Sequence, residues 1–197
     1  NRAAAAFSAF SAAGSGGEQL VATTAIVTPT IAATETPTNT DAPISLEAIS
    51  GEWIQEGDTI YQRKTAATDF SLSTGIAGES YRLAVSITMT DSSDLANVGA
   101  GLLFHMRDRT DNGEAQLVRF VNAGKGITWG TFNDAGAFRG DGYVDLNLTP
   151  GAPHLLTLTV DGDRFAVMVD DQLIVQDIPA VRDNGWLALT TFRGPVE

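Results

Sequence analysis

The chain has 197 residues, 43% of them hydrophobic, with 24 acidic against 12 basic side chains and a formal net charge of −12. That length and apolar content suit one domain core plus a tail, and the acidic balance excludes nucleic acid and anionic lipid headgroups as partners. The absence of cysteine removes disulfides, thiolate metal sites and a Cys nucleophile, and two histidines, His105 and His154, are too few for a His-rich metal centre.

Residues 1–42 read as an extended Thr/Ala/Pro-rich tail. The run Ala3–Phe10 has three readings: the start of a helix that Gly14-Ser15-Gly16-Gly17 would break, the residue of a signal peptide or anchor, or a flexible leader. No run is long and apolar enough to span a bilayer, so no transmembrane segment is expected. Leu20 to Thr28 is uncharged and rich in β-branched residues, and a Thr/Pro-rich stretch follows Pro29. Such a stretch lacks the apolar content to pack alone and points to an extended spacer with an extracellular or cell-surface address. Leu20, Val21, Ile26, Val27 and Ile31 are the assembly candidates: this β-prone segment suits strand addition to an exposed sheet edge of its own domain or of a neighbouring copy.

Residues 43–197 change character. In Tyr81–Met89 the apolar Tyr81, Leu83, Val85, Ile87 and Met89 alternate with polar neighbours, which predicts a strand with one dry and one wet face. Further strands are predicted at Thr59–Gln62, Val98–Arg107, Ala115–Asn122, Gly126–Asn133, His154–Val160, Arg164–Val169, Gln172–Asp177 and Gly185–Phe192. Asp/Gly turn signals separate them, and Leu158–Val167 reads as a hairpin around Asp161-Gly162-Asp163. Regular short strands without a long helical period predict an all-β, two-sheet antiparallel sandwich.

The segments Ser50–Arg63, Tyr81–Met89, Gly99–Asp108, His154–Val175 and Asp183–Glu197, in that order, resemble the concanavalin A-like, laminin-G-like jelly-roll superfamily, with the flavour of the bacterial 3-keto-disaccharide hydrolase-like domain. The resemblance spans roughly residues 45–197 and implies a jelly roll whose concave sheet face and bordering loops hold sugars. It also implies room for a structural calcium, although neither Asp161-Gly162-Asp163 nor Asp108–Glu114 follows an EF-hand loop. The closing strand stops short of the superfamily's usual pattern at Val196-Glu197, which would leave a sheet edge open.

Alternation assigns Leu102, Phe104, Met106, Val118 and Phe120 to the core. It places Leu103, His105 and Arg107 on the opposite face, with Arg119 on the next strand and Arg82 on an earlier one. With Trp129 and Tyr143 nearby, Arg82, His105, Arg107 and Arg119 form a candidate glycan site: planar donors for hydroxyls and aromatic plates for C–H faces. The same residues are also what a wet sheet face carries when paired with Asp and Glu. No catalytic residue is assigned. The acidic strand motif of laminarinase-type enzymes is absent, and most acids sit in turns, where Asp mimics backbone.

Three functions follow. The first is a non-catalytic surface module that binds carbohydrate. The second is a subunit of an extracellular filament, sheath or envelope that docks its tail on copies of itself. The third, resting on the resemblance, is a hydrolase of 3-keto-glycosides. No cofactor is required by any of them.

Overall fold

The computed structural model describes residues 5–11, 44–64, 68–89, 98–109, 113–149 and 151–193. Among them run β1 (Ala5–Ser11), β2 (Glu47–Ala48), β3 (Trp53–Glu56), β4 (Thr59–Gln62), β5 (Thr68–Gly78), β6 (Ser80–Met89) and β7 (Gly99–Met106). They continue with β8 (Gln116–Val121), β9 (Gly126–Phe132), β10 (Phe138–Asp145), β11 (Pro153–Asp161), β12 (Arg164–Val169), β13 (Gln172–Pro179) and β14 (Gly185–Arg193). A tight turn at Asn122–Gly124, with its three residues at φ 53°, 55° and 90°, joins β8 to β9.

Every pairing is antiparallel, and the strands form two seven-stranded sheets. Sheet A has the order β13-β12-β11-β6-β1-β4-β3, and sheet B the order β10-β9-β8-β7-β14-β5-β2. This is the two-sheet antiparallel sandwich that the patterning predicts, in the jelly-roll form that the resemblance implies. The β11–β12 hairpin closes with Asp161 opposite Arg164, around Gly162-Asp163, with Gly162 at φ 57°. The next turn, Asp170-Asp171, holds both residues at positive φ, as a tight hairpin turn requires and Asp tolerates.

The two sheets share one core. Leu83, Val85 and Ile87 of β6, Leu156 and Leu158 of β11 and Val167 of β12 meet Leu102 and Phe104 of β7, Val118 and Phe120 of β8 and Leu189 of β14. Each such side chain contributes about 1.5–3 kcal/mol on leaving water. Sheet A keeps the predicted alternation: along β6, buried residues alternate with half-buried or exposed ones.

Sheet B departs from it. β7 is buried at every position and β8 at all but its last. A second cluster of Leu103, Met106, Ala115, Leu117, Phe132 and Ala188, with Ile49 and Trp186 against it, occupies the face of sheet B turned away from sheet A. The wet outer face expected for this sheet is therefore dry over part of its area.

Five strands were not among the predicted elements: β1, β2, β3, β5 and β10. The backbone of Ala5–Ser11, far from starting a helix, is a strand seated inside sheet A between β6 and β4. Leu20, Val21, Ile26, Val27 and Ile31 lie outside the described residues, as do Val196 and Glu197. No helix among the described residues is long and apolar enough to cross a membrane.

Candidate functional site

The position of His105 follows from one extra residue in β7. Between the pairs Trp186–Met106 and Ala188–Leu103, β7 carries Phe104 and His105 where β14 carries only Leu187. This is a β-bulge, and His105 takes it with φ 52°. Gly185 makes the bulge fit, since a Cβ there would stand 2.5 Å from the carbonyl carbon of His105.

Past the bulge every side chain changes face. Met106, expected in the inter-sheet core, joins Leu103 in the outer cluster. His105, expected on the outer face, turns inward and is fully buried, its ring 5.4 Å from that of Phe104 and 6.4 Å from that of Tyr81. The buried Tyr81 hydroxyl completes no hydrogen bond, and the His105 ring has no partner but a weak approach to the Arg182 backbone. Burial lowers the pKa of His105 and pushes that of Tyr81 well above its usual value.

Beside the apolar cluster, the outer face of sheet B is floored by glycine. Gly101 stands opposite Arg119, and a Cβ on it would lie 2.1 Å from the Val118 carbonyl oxygen and 2.7 Å from the Arg119 Cβ. A Cβ on Gly99 would lie 3.3 Å from Arg119 Cδ. With no side chain in the way, Arg119 lies across β7 and donates from Nη1 to Asp69 Oδ1 on β5 at 2.5 Å. Its guanidinium is bracketed by two rings, 4.8 Å from the centroid of Phe192 and 5.3 Å from that of Phe138. Burial pushes the Asp69 carboxyl up, with the Arg119 charge pulling against it, and the same burial lowers the Arg119 guanidinium. Arg119 Nε is buried without an acceptor.

Two further rings take up glycine space on β9. A Cβ on Gly126 would fall 2.3 Å from Tyr143 Oη, and one on Gly130 would fall 2.8 Å from two ring carbons of Phe138. Both rings remain open to solvent, Tyr143 at 48% and Phe138 at 36% exposure. Tyr143 Oη donates to Asp145 Oδ1 at 3.0 Å, a bond that holds the phenol above its ordinary pKa. Thr128 faces Tyr143 across the β9–β10 ladder and Arg119 across the β8–β9 ladder, so it joins the two. The result is a shallow face of Tyr143, Thr128, Phe138, Arg119 and Phe192, with exposed aromatic edges and a pinned cation.

Of the six candidate residues, this face gathers Arg119 and Tyr143. Trp129 pairs opposite Val118, packs against the inter-sheet core and lies over Gly142. Arg82 is on β6 of sheet A, paired with Thr159 and exposed, and so belongs to the other sheet. Arg107 sits at the rim, bonded to Glu114 at 3.1 Å and Asp134 at 2.8 Å, with Arg182 sharing the same Glu114 oxygen. Asp69, Phe138 and Phe192 were missed. Their signal was the glycine at every second position of Gly99-Ala100-Gly101, which leaves space on one face. Among the described residues no group of three or more His, Asp or Glu is placed to hold a metal ion.

Comparison with solved structures places this architecture. The chain is similar to the carbohydrate-binding module CBM66 from Bacillus subtilis, with a TM-score of 0.64 at 17% identity over 77% of this chain and 92% of that one. It is also similar to the exoplasmic/lumenal domain of VIP36, solved with Ca2+ and Man3GlcNAc, with a TM-score of 0.51 at 11% identity over 77% and 78% of the two chains. The catalytic domain of an endo-1,3-β-glucanase (laminarinase) from Thermotoga petrophila is more distant, at a TM-score of 0.45 and 14% identity over 76% and 66%. The likeness is one of fold, a two-sheet antiparallel jelly-roll sandwich. No family model matches the sequence, and no curated protein does.

Proposed function

We propose that the chain is a non-catalytic carbohydrate-binding module of an exported or surface protein, which lays a neutral sugar ring on the Tyr143–Phe138–Arg119 face of sheet B. One observation carries this: two exposed aromatic rings rest over Gly126 and Gly130 beside an arginine that Asp69 holds across the sheet. Rings of this kind offer a flat apolar surface to the C–H side of a sugar, and Thr128 and Asp145 offer partners for its oxygens. Asp69 neutralises Arg119, and the chain's net charge of −12 repels acidic sugars, so the preferred ligand is uncharged.

The carboxylates nearest the face are both engaged, Asp69 by Arg119 and Asp145 by Tyr143, which supports binding rather than hydrolysis. The fold likeness to a carbohydrate-binding module supports the same reading. The Thr/Pro-rich stretch after Pro29 supports an extracellular address.

The test is affinity electrophoresis and calorimetry against a panel of neutral and acidic polysaccharides. Wild type is expected to be retained by at least one neutral polymer. Tyr143→Ala is expected to weaken that retention by about tenfold or more, while the exposed position leaves the unfolding midpoint unchanged. No retention by any polymer, or undiminished binding by Tyr143→Ala, overturns the proposal.

A further inference from the structure

β1 is not an ornament on the edge of sheet A. It is the fifth of seven strands, antiparallel to β6 on one side and to β4 on the other. Ala5, Ala6, Phe7, Ser8 and Ser11 stand opposite Met89, Thr88, Ile87, Ser86 and Ala84, and Ala6 and Phe7 stand opposite Tyr61 and Ile60. Without β1, two strand spacings, about 9.6 Å, would separate β6 from β4. Sheet A would then divide into β13-β12-β11-β6 and the β3–β4 hairpin, each with a row of unpaired backbone N–H and C=O groups facing the gap.

The strand that fills this slot comes from the chain's first residues, joined to the rest by residues 12–43. About 30 residues reach up to about 100 Å when extended, several strand lengths beyond the slot. The slot therefore sees a strand on a long tether, and nothing in a backbone ladder distinguishes a chain's own Ala5–Ser11 from that of another copy. The charge distribution permits a visitor. Residues 1–43 carry only Arg2, Glu18, Glu35 and Asp41, so nearly all of the −12 net charge lies on the sandwich. The Ala-Ala-Phe-Ser-Ala-Phe-Ser strand is itself uncharged, so it enters the slot of either copy at no electrostatic cost, and the length of the connection keeps two acidic sandwiches apart.

We infer that the slot between β6 and β4 is a strand-acceptor site whose partner is a second copy of this chain: residues 5–11 exchange between molecules and link sandwiches through completed sheets. The contacts are the same within and between chains, so concentration decides. A connection of this length sets an effective concentration on the order of 1 mM, and exchange dominates where copies are packed at or above it. The inference is independent of the carbohydrate reading, since the slot is in sheet A and the platform in sheet B.

The absence of native cysteine makes a clean test in the full chain. Ser8 pairs with Ser86, and directly opposite antiparallel residues lie about 4.5–5.5 Å apart, within disulfide reach. Ser8→Cys and Ser86→Cys single variants are refolded together at about 1 mM and oxidised. The linked peptides are then identified by mass spectrometry. A disulfide between positions 8 and 86 of different chains, severalfold above that from Ser8→Cys mixed with Ser80→Cys at the far end of β6, is the expected result. The yield should fall on dilution. If the Ser8→Cys/Ser86→Cys double variant closes within its own chain while the mixed single variants do not link, the strand stays at home and the proposal fails. If neither links, the register itself is wrong and the proposal fails with it.

Discussion

Arg119 on β8 reaches Asp69 on β5, three strands away in the sheet, and bonds it at 2.5 Å with side-chain exposures of only 10% and 17%. A charge pair this dry is costly to break but cheap to replace, because removing one partner leaves the other desolvated and uncompensated. Arg119→Met is therefore expected to lower unfolding free energy by about 2–4 kcal/mol. The double variant Arg119→Met/Asp69→Leu should return to within about 1 kcal/mol of wild type, since no buried charge then remains. Urea denaturation of the four-member cycle measures the coupling. Additive losses would mean that the two side chains do not hold each other.

The arginine's path depends on Gly101. A Cβ there meets the Val118 carbonyl at 2.1 Å and Arg119's own Cα at 2.5 Å, both backbone atoms that no rotamer change can move. Gly101→Ala is expected to cost about 2–3 kcal/mol by forcing β7 and β8 apart. Gly140→Ala, where the nearest atom is 3.7 Å away, should be within about 0.5 kcal/mol of wild type. Equal effects at the two glycines would show that Arg119 does not need the bare floor.

Sequence alone made the sandwich legible because β6, β11 and β12 alternate cleanly and their turns carry Asp and Gly. It failed where a local feature overrode the period. At His105 a single bulge residue exchanged the faces of His105 and Met106, so a strict two-residue count misplaced both. β5, Thr68–Gly78, was missed because its buried Ser71, Ser73 and Thr74 look like a solvated loop, although Thr74 Oγ1 donates to the Leu187 carbonyl inside the fold. β10 was missed because Phe138-Arg-Gly-Asp-Gly-Tyr reads as a turn, although its glycines leave space for rings. Gly142, for example, lies under Trp129. The candidate site inherited these errors: two of its six residues share a face, and the glycines that create the face were placed in strands without the space they leave being read.

His105 carries a pH prediction. Burial lowers its pKa below the usual 6.5, so the folded chain binds fewer protons at this ring than the unfolded chain does. Stability then falls as pH drops below 6.5 and continues to fall until the folded value is passed. His105→Phe removes that proton linkage. It also replaces two poorly satisfied nitrogens with carbon in a site already lined by Phe104 and Tyr81. The variant should be as stable as wild type or more so at pH 7, and should lose less stability between pH 6.5 and 5. A steeper acid slope than wild type in chemical denaturation would contradict this placement of the ring.

Asp170 titrates with the same sign at lower pH. It opens the β12–β13 turn at φ 48°, accepting Leu155 N–H at 2.8 Å on Oδ1 and His154 Nδ1 at 2.7 Å on Oδ2. Its slight burial works to raise the pKa, but the His154 and Leu155 hydrogen bonds outweigh that and hold the carboxyl below its usual 3.8. A depressed acid stabilises the fold above its unfolded pKa and loses that contribution as pH falls through the folded value. The carboxylate is half-exposed, so the pairing is worth only about 0.5–1 kcal/mol at neutral pH. Asn tolerates the same left-handed backbone, so Asp170→Asn removes the charge while keeping the turn. Thermal melts should therefore place Asp170→Asn slightly below wild type at pH 7, with the two curves converging below pH 3.8. A constant gap across that range would mean that the turn, not the charge on Asp170, supplies the stability.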